Sequence, residues 1–201
     1  MKGTVAVLAA LALSVPALSA PAVAADGVPA RLDAARAAYG RGDVARTVHE
    51  LEGALVELQA RLGKSLAECL PPALGGWQAD PAEIEGLESS GGGLAVTRAY
   101  SRNDATMNAV LNLDSPAVEA AVALLANPAA TAAQVNLRRV KVGAEDALMR
   151  WDSATKTGEI TMVLGNRVLL EIRGDNLQSG DVLLDAAKGW NLAAIRKTAG
   201  I

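Results

Sequence analysis

From Val44 to Leu62 large aliphatic residues return every four and then every three positions: Val44, Val48, Leu51, Leu55, Leu58 and Leu62. That spacing is the a/d seam of a helix that packs on a partner. Glu50, Glu52 and Glu57 fall off the seam. Asp43 stands in front of it as an N-cap, and Gly40-Arg41-Gly42 separates it from a shorter apolar pattern at Leu32, Ala35 and Tyr39, with Pro29 tolerated in a first turn. Residues 28–70 therefore read as two helices joined by a tight turn. Pro71-Pro72 ends them, and Gly75-Gly76 opens a region of different texture.

Beyond residue 72 the runs are shorter and richer in β-branched residues. Leu94 to Ser101 and Ala105 to Asp114 flank Arg102-Asn103-Asp104 and predict a hairpin. Ser115-Pro116 begins a helix with its apolar face at Val118, Ala121, Val122 and Leu125, and Asn127-Pro128 stops it. Gln134 to Val142 and Asp146 to Trp151 are further strands. Ile160, Met162 and Leu164, then Val168, Leu170 and Ile172, alternate on either side of Gly165-Asn166, which predicts a hairpin with a two-residue loop. A last helix is expected from about Asp181 to Lys188, with Gly189 after it. The order predicts an α+β fold: an N-terminal helical hairpin followed by an antiparallel sheet of roughly five to seven strands with helices packed on it.

The first residues change where this fold is expected to work. Met1-Lys2 precedes an apolar stretch from Val5 to Leu13, broken at Pro16, and Ala22-Val23-Ala24 supplies the small residues that signal peptidase accepts. The stretch is shorter than the roughly 20 residues a membrane-spanning helix needs. The expected division is a signal peptide over 1–24, a helical hairpin over 25–71 and an antiparallel α+β domain over 72–201. Cleavage near Ala24 would give a periplasmic or secreted protein with no transmembrane segment.

Nineteen Lys and Arg stand against 22 Asp and Glu. An acidic balance of this kind argues against a nucleic-acid partner. Cys69 is the only cysteine, so no internal disulfide can form, and its register with Leu66 reads as a buried apolar thiol. Phenylalanine is absent. Trp77 and Trp151 are therefore expected in a core built mainly of Leu, Val, Ile and Ala.

Catalytic and cofactor patterns are weak. His49 is the only histidine and sits beside the seam among acids; no Gly-x-Ser-x-Gly elbow accompanies it. One His and one Cys cannot fill a zinc shell without carboxylates from elsewhere. Gly63-Lys64-Ser65 lacks the glycine that a phosphate loop requires where Leu58 stands. Gly91-Gly92-Gly93 precedes a strand rather than a helix and reads as a turn. Asp175, Asn176, Ser179 and Asp181 do not follow calcium-loop spacing, and turn and cap roles account for them. No cofactor or metal is expected.

The pattern from Ala35 to Asp43, Ala-x-x-x-Tyr-Gly-Arg-Gly-Asp, resembles the turn of a single tetratricopeptide-type helix pair. One such repeat cannot bury its own apolar face, so the hairpin needs another surface. Gly76-Trp77, Arg98-x-Tyr100, Asp114-Ser115-Pro116 and the hairpin at Gly165 resemble small exported bacterial proteins of no assigned function, over about 72–198. That resemblance implies no activity. The expected function is a non-catalytic exported protein that binds another envelope protein through the seam. The alternatives are a carrier of a small apolar ligand, around Val110, Leu111, Leu125, Ile160 and Leu170, and an enzyme using carboxylates.

Overall fold

The structure is a computed structural model and describes residues 27–127 and 134–201, with 129 and 132 between them. The proposed signal peptide lies outside the described residues. The chain forms α1 (Gly27–Gly40) and α2 (Val44–Ala67), then β1 (Gln78–Ala79), β2 (Glu83–Gly86), β3 (Leu94–Arg102) and β4 (Ala105–Leu113). Helix α3 (Pro116–Leu125) leads to β5 (Leu137–Val142), β6 (Glu145–Asp152), β7 (Thr157–Leu164) and β8 (Val168–Asp175). Helices α4 (Asp181–Ala187) and α5 (Leu192–Ala199) close the chain. The fold is α+β: a helical pair, then an antiparallel sheet with helices packed on it.

All eight strands form one sheet in the order β1-β3-β4-β8-β7-β6-β5, with β2 on the same edge of β3 as β1. The chain leaves the centre after β4, crosses to the far edge through α3, and meanders back until β8 pairs with β4. Alternation along the strands sorts the side chains onto two faces. One face carries Val96, Met107, Leu111, Leu170, Met162 and Met149, all buried, and is covered by the end of α2 together with α4 and α5. The other is open and polar, save where α3, with Val118 buried, packs against β4, β7 and β8.

Three contacts hold the covering helices in place. Arg98, on the covered face of β3, donates from Nη2 to the Ala67 carbonyl at 3.3 Å, beside the Leu70 amide that also donates to it, so a cation meets the negative end of α2. Tyr100 donates its hydroxyl proton to the Pro71 carbonyl and pins the chain just after the helix. At the opposite end, Gly158 and Gly174 face each other across β7 and β8, and the bare pair lets Leu183 of α4 rest on the sheet. A Cβ on Gly158 would stand 2.6 Å from the Arg150 carbonyl oxygen and 2.8 Å from Leu183.

Several sequence expectations change in detail. The β7–β8 hairpin turns through three residues, Gly165 to Arg167, because Leu164 pairs with Val168. Gly165 supplies the positive φ, and Arg167 is drawn outward: Nε and Nη2 donate to Asp114 at 2.8 and 2.6 Å, and Nη1 donates to the Ala199 carbonyl at 2.7 Å. This clamp joins the end of β4, the turn and the last helix. The final segment contains two helices rather than one, with Asn191 capping α5 through the Ala194 amide. Trp77 and Trp190 are buried, whereas Trp151 is half-buried at the sheet margin. Arg102 lies over the Trp77 ring.

Two measurements test these contacts. Gly158→Ala should destabilise the fold by about 1–3 kcal/mol in urea unfolding followed by tryptophan fluorescence. Gly75→Ala, where an added Cβ meets nothing within 4 Å, should be close to neutral. The hydrogen bonds from Arg167 hold the Asp114 carboxyl below its ordinary range. The clamp's contribution is therefore complete above the unfolded carboxyl pKa of about 3.9 and is lost as pH falls through the lowered folded value. Arg167→Ala should lower stability at pH 7 and lose most of its effect at the acid end of that window.

Candidate functional site

Helix α2 has 24 residues and the sheet supports only its C-terminal end. Leu66 is buried and Leu62 packs on the core from the half-buried side. Gly63 admits Ile84 of β2, whose Cγ2 occupies the place where a Cβ would be built. Among the described residues, the element that packs on the N-terminal part of α2 is α1. That contact is made by small residues, with Ala35 and Ala38 buried on α1 and Ala54 on α2. It is edged by ion pairs: Glu50 lies 3.6 Å from Arg31 and 3.5 Å from Arg46, and Arg61 donates to Glu57 at 2.6 Å.

The seam points elsewhere. At about 100° per residue, its residues lie roughly a third of a turn from the strip that meets α1. Val44, Val48, Leu51, Leu55 and Leu58 are between 45% and 63% exposed. Of the six seam residues only Leu62 enters the core. Asp43 caps the helix as expected, accepting from the Arg46 amide at 3.1 Å, so the exposed row begins at a well-formed helix start. On α1, Leu32 and Tyr39 are 46% and 72% exposed. They stand seven residues apart and share a face. The phases of the two antiparallel helices put that face on the seam's side. The hairpin thus presents an apolar surface two helices wide. Sequence periodicity located the row on α2 and marked Leu32, Ala35 and Tyr39 as apolar on α1, without separating Ala35, which is buried, from Leu32 and Tyr39, which extend the exposed row.

The other candidates are tied to structural duties. His49 is exposed on α2, far along the chain from Cys69, which is buried and donates to the Ser65 carbonyl at 3.4 Å. Burial, with Glu68 adding to it, pushes the Cys69 thiol up and away from the reactive thiolate. Gly91, Gly92 and Gly93 all hold φ near +100° in a turn before β3. Asn176 donates to Asp104 across the sheet end. Among the described residues no group of three or more His, Cys, Asp and Glu could hold a metal ion.

Glu159, Glu171, Asp146 and Asp152 on the open face each have a neighbour. Glu159 stands 3.8 Å from Arg150 and 3.7 Å from Arg173, and Glu171 lies 3.2 Å from Arg173. Lys141 holds the Asp146 carboxyl low, and the Ala154 and Thr155 amides do the same for Asp152. A proton-donating carboxyl needs the opposite shift. The five aliphatic residues expected to line a carrier's cavity do not meet. Leu111, Ile160 and Leu170 are packed in the core, while Val110 lies on the opposite face and Leu125 on α3. A cleft of about 370 Å³ beside α3 combines Val122, Leu125 and Val163 with Arg139, Glu145 and Asp146. Those charges are committed: Arg139 donates to the Leu125 carbonyl, Glu145 pairs with Arg196 and Asp146 with Lys141.

Compared with protein-family models, curated proteins and solved structures, the chain matches none. No helix among the described residues is long and apolar enough to cross a membrane.

A pair of substitutions separates surface from core. Leu51→Asp and Leu58→Asp should each change the unfolding free energy in dilute solution by no more than about 0.5 kcal/mol, the range of ordinary surface changes. Leu66→Ala should cost about 2–5 kcal/mol.

Proposed function

We propose that the chain is a non-catalytic exported protein of the bacterial envelope that works by binding another protein through the α1–α2 face. The single observation behind this reading is the uncovered row from Val44 to Leu58, backed by Leu32 and Tyr39. A contiguous apolar surface of this extent on a folded chain marks an interaction site. Burial of about five leucine and valine side chains also supplies the central apolar cluster that a stable interface needs. Export rests on the segment before Asp26, with processing at Ala24 and a periplasmic or secreted product.

The fold contributes a rigid base. Because α2 is anchored at its C-terminal end by Leu62 and Leu66, the hairpin projects its apolar face at a set angle to the sheet. Charged groups stay off the row, so a partner contributes a complementary apolar helical surface rather than a charged peptide. No chemical step is assigned to the chain.

A photo-reactive amino acid replacing Leu51 in the native cell should form a covalent adduct with a defined protein in the periplasmic or secreted fraction. The same probe at exposed Lys156, in the β6–β7 turn, should not. Mass spectrometry of the processed chain should begin at Ala25. Retention of Met1 on the working protein would overturn export, and equal adduct yields at the two positions would overturn the assignment of the face.

A further inference from the structure

The partner of the hairpin face can be narrowed. We infer that it is a second copy of this chain, paired antiparallel about a two-fold axis at Leu51; this rests on the reading of the face as a docking surface. Area gives the first argument. With roughly half of each of the seven apolar side chains in water, the face offers on the order of 700 Å², near the 800 Å² or so that each partner contributes to a standard interface. It lies above the largest patch of a typical monomer, roughly 300–600 Å².

Self-complementarity is the second argument. In the antiparallel register about Leu51, Val44 lies level with Leu58 of the other copy, Val48 comes within one residue's rise of Leu55, and Leu51 meets itself. Every small β-branched side chain then faces a large one, the alternation that fills an interhelical layer without voids. A parallel pairing would instead set Val on Val and Leu on Leu. The exposed stretch runs from Val44 to Leu58 and stops where Leu62 enters the core, so two copies overlap along its whole length. Leu32 lies level with the axis on α1, since Arg31 pairs with Glu50 across the hairpin, and so meets its own copy. Together the four helices make a bundle with two-fold, self-complementary contacts.

Charge is the third. The antiparallel register carries each turn past Val44 to the end of the other copy's row, where Ile84 of β2 rests on Gly63. Arg41 in the turn is exposed, and β2 shows exposed Glu83 and Glu85 at that place. Arg61 nearby is tied to Glu57. Against these stands Glu52, which flanks the axis and approaches its own copy, a like-charge contact that weakens the pair.

The test uses the full chain, expressed with its own N-terminal segment so that processing takes its native course, in a Cys69→Ser background. Sedimentation should show a dimer at micromolar concentration, Leu51→Asp should abolish it with an unchanged near-ultraviolet spectrum, and Glu52→Gln should tighten it. Under mild oxidation Leu51→Cys should cross-link to itself. Leu58→Cys alone should not, whereas Val44→Cys with Leu58→Cys in one chain should. Self-cross-linking by Leu58→Cys as efficient as by Leu51→Cys would overturn the antiparallel register. A chain that stays monomeric at 100-fold higher concentration would overturn the second copy as partner; a foreign protein captured from Leu51 in cells would then leave the docking face standing, and no capture would remove both.

Discussion

An α-helix of 24 residues is about 36 Å long, and the sheet edge beneath α2 reaches only its last turns. Everything distinctive about the hairpin follows from that mismatch. Leu62, Gly63 and Leu66 land on the sheet, and Arg98 and Tyr100 secure the end of the helix from below. Among the described residues the remainder is held by α1, through alanines that bring two backbones together and the Arg31–Glu50 pair at their edge. A helix whose apolar stripe is continuous but whose support is not must show the unsupported part to solvent or to a partner.

The sheet obeys the complementary rule. Its eight strands have one face under α2, α4 and α5 and the other mostly in water, crossed among the described residues by α3. Burial on one side sets the register of every strand, because a slip of one residue would exchange the two faces. On the open side Arg150, Glu159, Arg173 and Glu171 neutralise one another across strands, an arrangement of modest stability value that leaves little chemistry unassigned. These four groups keep the shape of the open face, while the row from Val44 to Leu58 remains an exposed apolar strip.

The elements legible in the sequence are those with a strong local signature. The seam spacing and Asp43 gave α2, Ser115-Pro116 gave the start of α3, and alternation on either side of Gly165 gave the central β7–β8 hairpin. Strands β1 and β2 escaped because they are short and exposed: Glu83-Ile84-Glu85-Gly86 carries a single apolar residue. Helix α5 was legible in principle, since Asn191 is a good cap and Ile195 is fully buried, but Gly189 and Trp190 masked its start. What no periodicity can supply is the identity of the covering surface. The same a/d stripe is core at Leu62 and open at Leu55, and the difference lies in where β2 and β3 happen to end.

Helix α5 places Ile195 and Ala199 in the core within a few residues of the end of the chain, and the Arg167 clamp closes on the Ala199 carbonyl. The central β4–β8 pairing likewise joins segments separated by more than fifty residues of intervening chain. The centre of the sheet therefore closes across a long intervening loop, whose entropy must be met before the pairing repays it, and a topology rich in such remote contacts folds slowly.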